Sequence, residues 1–137
     1  MRGVKPQLRS IEGGLSKVPP PPALLAPEAR EEWRRAAREL IDLKILAKSD
    51  LQALEQYAIA AGMVKQLQEI AAKSPPIIVN EKSGAVKQHP AHVMLAKHLT
   101  LSLRFAAELG LTPAARNRKG FSQGSNAHEG APPGLDL

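Results

Sequence analysis

The chain has 137 residues, 43% hydrophobic and 23% charged, which is enough for one small domain with tails and too little for two independent cores. Nineteen Lys and Arg against thirteen Asp and Glu give a formal charge of +6 and a pI near 9.9, a balance that favours polyanionic partners without choosing among DNA, RNA and acidic protein. The lack of cysteine excludes disulfides, thiolate catalysis and thiolate-held zinc or iron–sulfur clusters.

Trp33, Tyr57, Phe105 and Phe121 are the aromatic residues, too few for the stacking platforms on which single-strand binders hold bases. The uncharged stretch 56–64 falls far short of the ~20 residues that span a bilayer, and no apolar signal core follows Met1 and Arg2. The expectation is a soluble, intracellular protein with no membrane partner.

Residues 1–22 carry Arg2, Lys5, Arg9 and Lys17 against Glu12, interrupted by Gly3, Pro6, Gly13 and Gly14 and closed by the run of prolines 19–22. This predicts a flexible basic arm joined through a stiff polyproline-type linker. From Pro27 the pattern turns helical. The proline suits a first turn, Glu28, Glu31 and Glu32 suit the positive helix end, and Trp33, Ala36, Ala37, Leu40 and Ile41 recur at helical spacing. The expected helix covers 27–43. Arg30, Arg34 and Arg38 form a row that can face phosphates, although Glu31–Arg35, Arg35–Glu39 and Arg38–Asp42 are i, i+4 partners. For most of these arginines the spacing favours a self-compensated, solvated face.

After a link at 44–48, Ser49 with Gln52 has the form of a capping box opening a second, longer helix. Its apolar set (Leu51, Leu54, Tyr57, Ala58, Ala61, Val64, Leu67, Ile70 and Ala71) is wider than one partner needs. Ala58, Ala60, Ala61 and Gly62 permit close backbone approach, so contacts with more than one neighbour, including another subunit, are expected. Pro75 and Pro76 stop this helix. Ile77, Ile78 and Val79 face Ala85, Val86 and Lys87 across turn residues 80–84, predicting a β-hairpin. A third helix is predicted over 90–109 with Gly110 as its C-cap, and Thr112 before Pro113 starts one more turn to Arg118. The Gly-, Ser-, Pro- and Ala-rich end is expected to be disordered. The fold class is thus mainly α. A three-helix body carries a short β-hairpin between its second and third helices. The expected boundaries are 1–22 for arm and linker, 23–119 for a helical oligomerisation domain, and 120–137 for the tail.

His89, His92 and His98 gather near the start of the third helix, but no carboxylate shares their turn and Pro90 divides the first pair. They are read as a polar helix-start cluster, with no metal and no cofactor expected. No GxxxxGK loop occurs, and the acidic residues are spread where they pair with Lys or Arg, so no catalytic constellation forms and no enzyme is expected. A helix-turn-helix reader would need basic or amide groups opening its second helix. Asp50, Gln52, Glu55 and Gln56 stand there instead, so any DNA contact is assigned to the arm.

The order of features resembles the phage terminase small-subunit family, in its group with a basic arm, helical body and short hairpin. The matching pieces begin with Arg2-Gly3-Val4-Lys5-Pro6, Glu12-Gly13, the proline run, and Ala29-Arg30-Glu31-Glu32-Trp33. They continue with Asp50 and Leu54, Lys87-Gln88-His89-Pro90-Ala91, and Glu108-Leu109-Gly110-Leu111-Thr112-Pro113-Ala114-Ala115-Arg116. They cover roughly 2–118, and the tail beyond Gly120 carries no recognisable match.

The resemblance implies a non-catalytic component of viral genome packaging, acting in the host bacterial cytoplasm during virion assembly. Such subunits assemble as homo-oligomeric rings, engage double-stranded viral DNA and present it to the large terminase subunit, which carries the ATPase and nuclease. The expected phosphate contacts are Arg2, Lys5, Arg9 and Lys17, followed by Arg34, Arg38, Arg116, Arg118 and Lys119. The expected oligomer contacts are Leu54, Ala58, Ala61 and Leu67 on the second helix and Leu95, Leu99 and Leu103 on the third. Two rivals stand beside this reading: a helical adaptor docking an acidic protein surface, and a small DNA-binding regulator.

Overall fold

The computed structural model of the chain describes residues 14–118; Arg2, Lys5, Arg9, Lys119 and the expected disordered tail lie outside the described residues. Helix α1 spans Pro27–Asp42 and buries Ala29, Trp33, Ala36, Ala37 and Leu40 along one stripe. It ends in a full Schellman motif. Lys44 N–H bonds the Ile41 carbonyl, Ile45 N–H bonds that of Leu40, and Lys44 occupies the left-handed position at φ 60°. A single 3-10 turn, Lys48–Asp50, leads into α2, Leu51–Ala72. The expected Ser49 cap is replaced here: Asp50 Oδ2 accepts from the Ala47 N–H at 2.9 Å, and Ser49 lies inside the turn.

Strands β1, Ile77–Val79, and β2, Val86–Gln88, form an antiparallel pair, with β2 one residue later than the apolar pattern indicated. The turn closes because Asn80 Oδ1 accepts from Lys82 and Ser83 N–H and Gly84 takes φ 70°. Helix α3 spans Pro90–Leu109, with His89 Nδ1 accepting from Ala91 N–H at its start and Gly110 at φ 81° at its end. Short α4, Pro113–Arg118, opens with Thr112 Oγ1 accepting from Ala115 N–H.

Helix α2 lies in the middle and packs against both α1 and α3. The core gathers where α1, the first half of α2 and the end of α3 meet: Leu40, Leu46 and Leu54 are fully buried, with Trp33, Tyr57 and Leu109 around them. Helix α1 reaches along α2 as far as Gln66, which bonds Glu28. The remainder of α2, the hairpin and the start of α3 project past it as an arm. The residues expected at oligomer contacts fall in different places. Leu54, Ala58 and Leu67 are buried within the chain's own core, because α2 must satisfy two neighbours before it offers anything outward. Ala61 and Leu95 are half-buried, while Leu99 and Leu103 are exposed.

The proline run also differs from a free linker. Leu15 N–H bonds the Leu46 carbonyl at 2.9 Å, Trp33 Nε1–H bonds the Pro19 carbonyl at 2.9 Å, and Leu25 is buried. Arg30 completes the attachment, donating from Nε to Leu25 O at 2.9 Å and from Nη2 to Ala23 O at 2.7 Å. Residues 14–25 therefore form a strap along α1. Prolines suit this because they are already extended and have no N–H to satisfy, so seating them costs little entropy.

Candidate nucleic-acid interface

The 3.6-residue period divides the surface of α1 into two charged flanks. Glu28, Glu32, Arg35 and Glu39 lie toward one side, Arg30, Arg34 and Arg38 toward the other. Helix α2 takes up the first flank. Gln66 Nε2 donates to Glu28 Oε2 at 2.9 Å, and Lys65 Nζ stands 3.1 Å from Glu32 Oε1 and 3.6 Å from Glu31 Oε2. Glu32, 7% exposed, is the centre of this flank. Its Oε2 accepts from Arg35 Nη2 at 2.7 Å, Arg35 Nε at 3.1 Å and the Tyr57 hydroxyl at 3.2 Å.

Burial pushes the Glu32 carboxyl up, but the hydrogen bonds from Arg35 and Lys65 outweigh it and hold the group below the ordinary carboxylate range. The Glu32 hydrogen bond in turn raises Arg35 and Lys65. Burial, then the Glu32 charge, raises Tyr57, which stays protonated and donates. The acid is thus enclosed by its own partners and presents no open carboxylate to solvent, an arrangement suited to holding helices together.

Glu32 is the one acid of α1 that is buried, and the other flank carries the arginines. Arg34 and Arg38 are exposed and have no ion-pair partner among the described residues. The i, i+4 compensation expected for Arg38 with Asp42 is not made. Glu31 likewise turns to Lys65 instead of Arg35. Arg30 is bound to the strap, so it holds the strap and carries charge to this side. The strap's first residue, Gly14, bridges Ala47, just past the C-terminal end of α1, the end that carries Arg38. Lys17, on the strap, is exposed.

Exposed Lys44 and Lys48, in the link between α1 and α2, adjoin this end and do not stand out in the sequence. Their signal is two uncompensated lysines following an arginine row, but nothing local ties the link to the arm. Arg116 Nη1 donates to the Gly110 carbonyl at 3.1 Å and closes the end of α3. Arg118 ends α4.

The histidines serve the base of the hairpin. His89 and His92 meet edge to face with ring centroids 6.0 Å apart, and His92 Nε2 lies 3.0 Å from the Ser74 carbonyl, tying the end of α2 to the start of α3. Among the described residues no group of three or more His, Asp or Glu is placed to hold a metal ion, and no helix is long and apolar enough to cross a membrane.

No curated protein and no solved structure matches the chain. The family model described as "Phage terminase, small subunit" matches residues 29–125, a span that takes in α1 but for its first two residues, the hairpin and α3, and that runs past Gly120, where the sequence alone showed no match. The chain therefore belongs to the small-subunit family of phage terminases and, with it, to the apparatus of phage genome packaging.

Proposed function

We propose that the chain is the oligomeric, non-catalytic DNA-recognition subunit of a phage terminase. It binds double-stranded viral DNA in the cytoplasm of the infected bacterium and hands it to the large subunit, which supplies ATP hydrolysis and cleavage. Exposed Arg34 and Arg38 on one flank of α1, unpaired among the described residues, are the observation that carries this reading. Arg34, Arg38 and Lys17 on the body, and Arg2, Lys5 and Arg9 on the arm, contact phosphates. Sequence preference enters through DNA shape.

Helix α3 supports the oligomeric part. Leu99 and Leu103, 46% and 65% exposed, lie on one side of its packed face, and Met94 and Leu101 on the other. A subunit with apolar surface on two sides suits head-to-tail contacts that close into a ring. One copy offers few phosphate contacts and binds weakly. Several copies on one duplex raise the effective concentration and multiply avidity by ~10² or more.

Fluorescence anisotropy of a labelled duplex titrated with the full chain at several salt concentrations tests this. Log affinity should fall linearly with log salt. The Arg34→Ala/Arg38→Ala variant should bind more weakly, with a slope shallower by about one for each phosphate that the variant no longer neutralises. Binding absent at low salt, or affinity indifferent to salt, would reject the reading.

A further inference from the structure

The hairpin stands at the far end of the α2–α3 arm and pairs Ile77 with Gln88, Ile78 with Lys87 and Val79 with Val86. The bonds at its two ends, Asn80 N–H to Ala85 O at 2.8 Å and His89 N–H to Pro76 O at 2.9 Å, set the alternation of the ladder. Residues 76, 78, 80, 85, 87 and 89 turn their peptide groups inward. Ile77, Val79, Val86 and Gln88 turn theirs outward, to the two open edges. The same four side chains share one face of the ribbon. Ile77, Val79 and Val86 are 50%, 54% and 60% exposed.

Open backbone and apolar side chains therefore coincide on the same residues. Open edges are normally blunted by a charge, a proline or a bulge. Strand β1, Ile-Ile-Val, has none of these, and Lys87 of β2 lies on the opposite face with Ile78. A ladder of two three-residue strands is also marginal without further support.

We propose that the β1 edge of one copy pairs with the β2 edge of the next, joining the hairpins of an oligomer into one continuous antiparallel ladder. This rests on the oligomeric reading above and names the contact within it. A second copy is the occupant because the chain's two free edges run in opposite directions. Placing β1 of one copy beside β2 of the next repeats the alternation already present within each hairpin. Both edges are used once per copy, so the ladder continues from subunit to subunit and leaves no edge open when it closes. Ile70 on α2 and Val93 and Met94 on α3, which flank the hairpin in sequence, are also about half exposed.

The chain's lack of cysteine permits a direct test. Val79→Cys, Val86→Cys and Gln88→Cys are made singly in the full chain, at exposed positions, and oxidised alone or after co-assembly in pairs. Positions 79, 86 and 88 turn their peptide groups outward, so across the seam between copies they form hydrogen-bonded pairs, whose Cα atoms lie about 5.5 Å apart, within disulfide range. Val79→Cys mixed with Val86→Cys or with Gln88→Cys should give a disulfide-linked dimer on a non-reducing gel, and each variant alone should not.

Cross-linking of Val79→Cys alone would place two β1 edges together and overturn the proposal. Absence of cross-links in either mixture, with the wild type oligomeric by light scattering, would overturn the hairpin contact and leave the oligomeric reading standing. A monomeric wild type would overturn both. As a second measurement, Val79→Lys puts a charge on the edge. It should lower the concentration-dependent stability of the oligomer while leaving the far-ultraviolet circular dichroism unchanged, and an unchanged oligomer on dilution would count against the proposal.

Discussion

A Cβ built on Gly62 of α2 would lie 2.8 Å from the backbone nitrogen and 2.9 Å from the Cα of Ala29 on α1. The two helices approach here backbone to backbone, and no flexible side chain can move aside. Gly62→Ala gains about 0.8–1 kcal/mol of helix propensity but forces the helices apart at a cost of about 1–3 kcal/mol. The expected result is a lower melting temperature, by thermal circular dichroism, in spite of the better helix former.

Lys44 gives a case of opposite sign. It holds the left-handed C′ position of the Schellman motif ending α1, with φ 60°, where an L side chain costs ~1–2 kcal/mol and glycine almost nothing. Lys44→Gly should raise the melting temperature, the flexibility that glycine adds to the unfolded chain offsetting part of the gain. Because Lys44 also adjoins the basic flank, the same variant should bind duplex DNA slightly more weakly, separating stability from affinity.

The carboxyl of Glu32 sits below the ordinary value of 4.5, despite burial, because Arg35 and Lys65 hydrogen-bond its charged form. Its contribution to stability is therefore complete above pH 4.5 and is lost as pH falls through the lower folded value. Chemical denaturation of wild type should show stability declining as pH falls below 4.5, and Glu32→Gln should show a shallower decline. At pH 7 the Gln variant should be less stable by ~1–2 kcal/mol, a figure reduced by the solvent exposure of Arg35 and Lys65.

The Trp33 indole holds the strap through the Pro19 carbonyl. Trp33→Phe keeps most of the buried ring and removes that donor. Limited trypsin digestion should then cleave after exposed Lys17 several times faster than in wild type, with helix content retained. Equal cleavage rates would show that Leu15, Leu25 and Arg30 hold the strap without it.

Much of this architecture is legible in local chemistry. Pro27, Pro90 and Gly110 mark helix ends because each restricts or frees one backbone angle, and α3 runs from Pro90 to Leu109 for that reason. Three-dimensional neighbours decide the rest. The proline run reads as a spacer because nothing nearby in sequence announces that Trp33 will donate to Pro19. Leu54, Ala58 and Leu67 read as available to another subunit because periodicity shows that a face is apolar, not which neighbour covers it. Of the i, i+4 pairs that the spacing suggests on α1, Arg35–Glu39 forms; Glu31 turns instead to Lys65 of α2, a neighbour that spacing along one helix does not reveal, and Arg34 and Arg38 face solvent.

The central claim is that weak basic sites become a DNA interface by being repeated on an oligomer. Multi-angle light scattering of the purified full chain at low and high salt tests it most directly. The account predicts one discrete species, many multiples of the 14.7 kDa chain, with the same mass at both salt concentrations because apolar contacts hold it together. A monomer or dimer, or a large species that dissolves at high salt, would contradict it.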